Sequence, residues 1–209
     1  MTSAAILLQI DAIRRARGLL TIEETLALSA HGTVILDPFS ILIARSVAIG
    51  RDNILHPNVQ LVGVAALSVG DGNIFHMGTR VEAVTGPIRI GHRNEIGDGG
   101  FSARTTSPGA RITIGDDGRY HLNCAVTGVC NLGSGSQILG PITVDSCVLG
   151  AGGSHRESNA DLRGAVLKGT GRARGLSLAR GQVIQGFGVF DIRDVKMQSY
   201  YHPKADMPA

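Results

Sequence analysis

The sequence lacks a strong excess of either charge, a long apolar run and a recognisable leader. With 20 Lys and Arg against 17 Asp and Glu, its net charge of +3 is too small to indicate a nucleic-acid-binding protein. No stretch approaches about 18 uninterrupted apolar residues, so we expect no transmembrane helix. The first residues lack the basic start and the cleavage site of a signal peptide. We therefore expect a cytoplasmic protein without membrane insertion.

The sequence is also poor in cysteine and in aromatic residues. Cys124, Cys130 and Cys147 cannot all pair, and we expect them to be buried free thiols in a reducing compartment. Tryptophan is absent, only five Phe and three Tyr occur, and glycine occurs 29 times. A narrow core that accepts aliphatic side chains more readily than rings would have this composition.

Apolar residues recur at every sixth position over much of the chain. One unbroken run comprises Ile114, Tyr120, Val126, Leu132, Ile138 and Val144. An earlier run comprises Ile49, Leu55, Leu61 and Leu67. Neither a helix nor an alternating strand has a period of six, whereas a three-sided coil needs one inward residue per side. Glycine often follows the inward residue, as in Ile114-Gly115, where the backbone must bend at a corner.

The sequence thus predicts an all-β protein. The expected architecture is a left-handed parallel β-helix of the hexapeptide-repeat type, with a short N-terminal helical segment and a C-terminal capping segment. The expected divisions are a helical preamble at residues 1–32, the coil at 33–186, and the capping segment with its tail at 187–209.

Two short helices are expected in the preamble. Ile6, Ile10 and Ile13 share one face of the first helix, and Thr21 with Glu24 forms a capping box for the second. The apolar face of the first helix must be buried, either on the first coil or on a partner chain. Both ends of an open coil are docking edges unless they are covered, and the two terminal segments are the natural covers.

Two stretches interrupt the repeat. Residues 102–110 (SARTTSPGA) have the composition of an extruded loop. After Gly150 the sixfold spacing of apolar residues becomes irregular and the chain becomes polar, which indicates less regular final coils. The basic residues of this region are Arg163, Lys168, Arg172, Arg174 and Arg180. A solvated face is the favoured interpretation of this cluster, and an anionic ligand or an acidic partner is the alternative.

Residues 122–133 (LNCAVTGVCNLG) resemble the segment that holds the catalytic base of the UDP-N-acetylglucosamine O-acyltransferases. That resemblance implies a homotrimer that uses a CoA thioester, with a histidine base at the subunit interface. Ala125 and Gly128 stand where that family has histidines, and Val129 replaces its aspartate. Residues 34–38 and 49–57 are similar to the start of the acetyltransferase domain of the bifunctional N-acetylglucosamine-1-phosphate uridylyltransferase, which supports the fold more than the activity.

Residues 54–57 (ILHP), 69–74 (VGDGNI) and 86–91 (GPIRIG) resemble the smaller hexapeptide subunit of the dynactin pointed-end complex. This resemblance implies a non-enzymatic protein-interaction subunit that joins a heteromeric assembly through prism faces and coil ends. The long insertion of that family is replaced here by residues 102–110. The γ-class carbonic anhydrases share the prism, but the seven histidines here contain no pair with their zinc-ligand spacing, and we expect no metal.

These resemblances lead to two hypotheses for the function, from different classes of protein. The favoured hypothesis is the scaffold subunit, which needs no cofactor. The alternative is a homotrimeric hexapeptide acyltransferase acting on a sugar or amine with a CoA thioester. Its base would be one of four histidines that lie at or near turns or in a polar loop, namely His76, His92, His121 and His155.

Overall fold

The residues at sixfold spacing form the core of the molecule. Every member of the unbroken run from Ile114 to Val144 is at most 1% exposed. Leu55, Leu61 and Leu67 of the earlier run are also buried, whereas Ile49 is partly exposed. Strands of the coil also bury a second side chain, as Ile112 does beside Ile114, and burial of these apolar groups stabilises the coil. The protein is accordingly a parallel β-helix, seen here in a computed structural model that describes residues 3–202.

The strands stack in parallel on three faces, and on each face successive coils are hydrogen-bonded. The first face comprises β1 (Val34–Ile35), β4 (Ile54–Leu55), β7 (Ile74–Phe75), β10 (Glu95–Ile96), β13 (Arg119–His121), β16 (Gln137–Leu139) and the first parts of β19 (Val166–Arg174) and β21 (Gln182–Val189). The second face comprises β2 (Leu42–Ile43), β5 (Gln60–Gly63), β8 (Arg80–Ala83), β11 (Phe101–Thr105), β14 (Cys124–Thr127), β17 (Ile142–Asp145) and the last parts of β19 and β21. The third face comprises β3 (Ala48–Ile49), β6 (Leu67–Val69), β9 (Ile88–Ile90), β12 (Arg111–Ile114), β15 (Val129–Leu132), β18 (Val148–Leu149) and β20 (Ser177–Leu178).

The coils differ in length, and the longest one carries an excursion. Tyr120 pairs with Ile138, which is 18 residues further on, whereas Ile138 pairs with Leu167 after 29 residues. The additional chain lies in residues 150–165, between β18 and β19, and is called the excursion below. It includes a 3-10 turn at Ala160–Leu162 and is closed by a bridge between Gly153 and Arg163.

The expected loop at residues 102–110 is shorter in the structure. β11 continues to Thr105 and pairs with both β8 and β14. Ala103 and Thr105 face inward and are buried, and the Thr105 hydroxyl donates to the Gly86 carbonyl at 2.8 Å. The Ser, Thr, Pro and Gly content of residues 102–110 suggested a loop, but Ala103 stacks between Val81 and Val126 in the interior of the second face.

The N-terminal helices are α1 (Ser3–Ala16) and α2 (Ile22–Ala27), and a 3-10 turn at Leu28–His31 follows α2. The capping box of Thr21 and Glu24 is present. Of the two expected alternatives for the apolar face of α1, burial on the first coil is not seen for Ile6 and Ile13, which are about half exposed, while Arg14 is buried. The Arg14 guanidinium donates to the carbonyls of Leu20, Pro38, Phe39 and Ile41. This side chain satisfies carbonyl groups at the open end of the coil.

The C-terminal segment closes part of the other end. After β21 the chain forms a 3-10 turn at Ile192–Asp194, β22 (Lys196–Met197) and a second 3-10 turn at Gln198–Tyr200. β22 runs antiparallel to β21 and covers Gln182 and Val183. β21 itself extends through Val189, past the expected end of the coil at residue 186. Residues 203–209 of the expected capping segment lie outside the described residues. None of the helices within residues 3–202 is both long and apolar enough to cross a membrane.

Candidate functional site

Two of the four candidate histidines meet at one carboxylate on the first face. The Nε2 atom of His76 lies 3.5 Å from Glu95 Oε1, and the Nε2 atom of His121 lies 3.8 Å from Glu95 Oε2. The two imidazole rings are 6.4 Å apart between centroids. The two histidines lie on β-helix coils on either side of the one that carries Glu95, because β10 pairs with both β7 and β13. Glu95 therefore faces an imidazole from the coil on either side.

Arg119 completes this cluster. Its Nε atom lies 3.8 Å from Glu95 Oε2, and β10 and β13 pair Glu95 directly with Arg119. These separations allow ion pairs but are too long for hydrogen bonds. Among the described residues, Nε2 of His76, Nε2 of His121 and Nε of Arg119 are buried atoms without a hydrogen-bond partner. Buried polar atoms are nearly always satisfied, so three unsatisfied nitrogens around one carboxylate mark a functional candidate.

A buried asparagine ladder holds the strands of this cluster in register. Asn94 Nδ2 donates to Asn73 Oδ1 at 3.0 Å, and Asn94 Oδ1 accepts from the Gly118 amide at 2.8 Å. Asn94 directly precedes Glu95, and Gly118 directly precedes Arg119. The ladder therefore fixes the height of both charged residues along the coil.

Alternate residues of β13 face the core and the candidate site. Tyr120 points inward and is fully buried, so its neighbours Arg119 and His121 must point outward, because strand side chains alternate. Burial lowers the pKa of His121, Glu95 opposes this shift, and Arg119 reinforces it. A neutral imidazole beside a carboxylate can accept a proton, and the carboxylate stabilises the imidazolium that results.

His155 approaches the same cluster from the excursion. A cavity of about 220 Å³ lies between the excursion and the first face, and Glu95, Arg119 and His155 are among its lining residues. Burial lowers the pKa of His155, and the charges of Arg119 and Arg156 lower it further. A separate, more open depression of about 440 Å³ is lined by His56, His76 and residues 97–100. Glu95 and Arg119 thus border one cavity, and His76 borders another.

His92 lies apart from this cluster and has a structural role at a corner. Its Nδ1 atom accepts a hydrogen bond from the Asp71 amide at 2.9 Å, and its own amide donates to Asp116 Oδ1 at 2.8 Å. The same Nδ1 atom lies 3.3 Å from Asp71 Oδ2. The structure therefore brings His76 and His121 together at Glu95, places His155 in a cavity with Glu95 and Arg119, and leaves His92 at a corner.

Sequence reasoning missed Glu95 and Arg119. Each directly precedes an inward residue of the first face, Ile96 and Tyr120 respectively, so the hexad phase alone could have aligned them. The 24-residue coil between those two inward positions concealed the alignment.

The three cysteines are free and buried, as expected. Burial raises the pKa of Cys124 to about 12 and that of Cys130 to about 11. Thiols of this kind are inert as nucleophiles and as metal ligands. Within residues 3–202, no group of three or more His, Cys, Asp or Glu side chains is arranged to hold a metal ion.

Comparisons with known proteins leave the family open. No protein-family model matches this chain, and no curated protein matches it.

Proposed function

We propose that the protein is an acyltransferase of the hexapeptide-repeat type that uses a CoA thioester and an acceptor with a hydroxyl or amine group. The observation that carries this proposal is the convergence of His76 and His121 on Glu95, beside Arg119 and an open cavity. The catalytic base that resemblance would put at residues 125–129 is absent, and this cluster supplies a base at a different position.

The exposure of the two histidines assigns their roles. A quarter of the His76 side chain is accessible, whereas His121 is only 7% exposed. His76 takes the proton from the acceptor, and its oxygen or nitrogen bonds to the thioester carbonyl carbon. The C–S bond then breaks, and the thiolate receives the proton from His76. Glu95 stabilises the imidazolium in the interval, as acid–base catalysis requires.

The test is acyl transfer from acetyl-CoA to a panel of amino sugars and amines, with the acylated product detected by mass spectrometry. We expect His76→Gln to lower kcat by about 10²–10⁴-fold, the usual contribution of a positioned base. His31→Gln is the matched control, since His31 is exposed at the end of a 3-10 turn. Light scattering of the same sample should give three copies per particle. Absence of turnover, or equal turnover in the two variants, would refute the enzymatic proposal.

A scaffold subunit is the second candidate, and the open end of the coil favours it. β22 pairs with Gln182 and Val183, and within residues 3–202 no strand pairs with the outer edge of β21 over its last residues. Phe187 and Val189 on that edge are each 83% exposed. Exposed edge strands with apolar side chains are templates for pairing with another chain.

The scaffold proposal also has a direct test. Native mass spectrometry of the protein purified from its source should show a stoichiometric complex with a different chain. Phe187→Asp should dissociate that complex while the isolated chain keeps its fold. A homotrimer that carries no second chain would contradict the scaffold and favour the enzyme.

A further inference from the structure

A second cavity beside the cluster is strongly basic. It encloses about 230 Å³ between the first face, the excursion and the C-terminal segment. Arg119 contributes from β13, Lys168 from β19 and Arg163 from the excursion, and His155 lies between them. Three permanent positive charges thus line one small cavity.

No carboxylate neutralises this cavity within the described part of the chain. None of its lining residues is Asp or Glu. Arg119 has only the 3.8 Å contact with Glu95, and neither Arg163 nor Lys168 has an ion pair with a carboxylate within residues 3–202. Cations held together without counter-charges repel each other, and an anion between them would relieve that repulsion.

Two buried nitrogen atoms in the cavity lining, Nε of Arg119 and Nδ1 of His155, have no hydrogen-bond partner among the described residues. The Nε–H of Arg119 can only donate, and the carboxylate oxygen nearest to it, Glu95 Oε2, is 3.8 Å away, which leaves it able to donate to a closer anionic oxygen. Burial without a partner costs free energy that a bound oxyanion would recover.

The cavity walls are held in place by the backbone. Gln198 Nε2 donates to the Gly164 carbonyl at 2.8 Å, and the Ser199 amide donates to Asp161 Oδ1 at 2.8 Å. The Arg163 Nε atom donates to the Glu157 carbonyl at 2.7 Å, which orients its guanidinium. The C-terminal segment and the excursion are therefore joined, and the basic groups are positioned before any ligand arrives.

We propose that this cavity binds a small oxyanion, a phosphate or carboxylate group, through Arg119, Arg163 and Lys168. The volume suits such a group or the charged end of a larger ligand, since pockets for whole drug-sized molecules occupy about 300–1,000 Å³. Binding does not require the proposed acyl transfer. If acyl transfer also occurs, we expect its acceptor to bear a phosphate or carboxylate group, because Arg119 belongs both to this cavity and to the cluster at Glu95.

The experiment is calorimetric titration and thermal denaturation of the full chain with inorganic phosphate, a sugar phosphate and malonate. Each series is compared with sodium chloride at the same ionic strength, which separates binding from general screening. Saturable binding of inorganic phosphate alone indicates a free-phosphate site, and tighter binding of the sugar phosphate indicates a phosphate ester. Preference for malonate indicates a carboxylate ligand.

The decisive variants lie on one strand. Lys168→Gln removes a charge from the cavity, whereas Arg172→Gln removes a charge from the part of β19 that lies on the second face. Both side chains are exposed, so neither change disturbs the core. We expect Lys168→Gln to weaken oxyanion binding about tenfold or more and Arg172→Gln to leave it within about twofold. The absence of saturable binding, or an equal loss in both variants, would overturn the proposal whether or not the enzyme turns over acetyl-CoA.

Discussion

The buried tyrosine under the candidate site allows a quantitative test of the fold. Tyr120 Oη lies 2.9 Å from Ser136 Oγ, and both side chains are fully buried. Within the described chain, neither hydroxyl has another hydrogen-bond partner. Tyr120→Phe removes one hydroxyl and leaves the other buried and unsatisfied. Such a group costs about 1–3 kcal/mol of folding free energy.

A double-mutant cycle separates this cost from packing. Tyr120→Phe and Ser136→Ala should each destabilise by about 1–3 kcal/mol, because each leaves one orphaned hydroxyl. The double variant leaves none, so its loss should fall below the sum by about 1–2 kcal/mol. For a chain of this size, each single variant corresponds to a fall in Tm of about 2–12 °C.

The assay is urea denaturation followed by circular dichroism, with equal m-values required across the cycle. Tyr200→Phe is the control, since Tyr200 is largely exposed, and its stability should change by less than about 0.5 kcal/mol. Strictly additive single losses, or a Tyr120→Phe variant as stable as the parent, would refute the reasoning from buried polar atoms.

Four further outcomes are expected. Arg14→Met leaves several backbone carbonyls at the open coil end without a donor and should destabilise by about 3 kcal/mol or more in the same urea assay. Burial lowers the pKa of His121, so the unfolded chain binds its proton first as pH falls below about 6.5; stability should therefore decline on acidification, and less steeply in His121→Gln. Burial raises the pKa of Cys124, so a thiol reagent at pH 8 should label it and the other two cysteines slowly in the native protein and rapidly in urea. Glu95→Gln removes the carboxylate beside Arg119, which should strengthen oxyanion binding in calorimetry while lowering any acyl transfer.

The core was predictable from sequence because the sixfold phase marks residues that point into the coil. Apolar residues in that phase are buried from Leu55 onward, including the ring of Tyr120, whereas Ile49 is partly exposed. The phase did not predict that β11 extends to Thr105, since Ala103 and Thr105 are small and carry little hydrophobic signal. Ala103 nevertheless stacks between Val81 and Val126 in the interior of the second face.

The candidate site was predictable only in part. His76 and His121 each follow an inward residue of the first face, so a correct count of coils aligns them. The position of His155 depends on the path of the excursion, which follows no period and is fixed by hydrogen bonds such as that from Gly153 to Leu162. Position beside a turn also suggested His92, because the sequence does not show that its Nδ1 already accepts a backbone hydrogen bond.

The location of the cavities follows from where the repeat is interrupted. A regular coil presents flat faces, and on a flat face neighbouring side chains cannot enclose a ligand. The 29-residue coil provides additional chain that folds back over the first face and carries His155 and Arg163. Arg119 lies beneath it on the regular part of the coil and lines both cavities, and the register set by Asn94 and Tyr120 keeps it there. Deleting residues 151–164 would therefore remove one wall of both cavities while keeping Ala165, which belongs to the core, in the inward stack. The core and the cavity walls are thus formed largely by different parts of the chain.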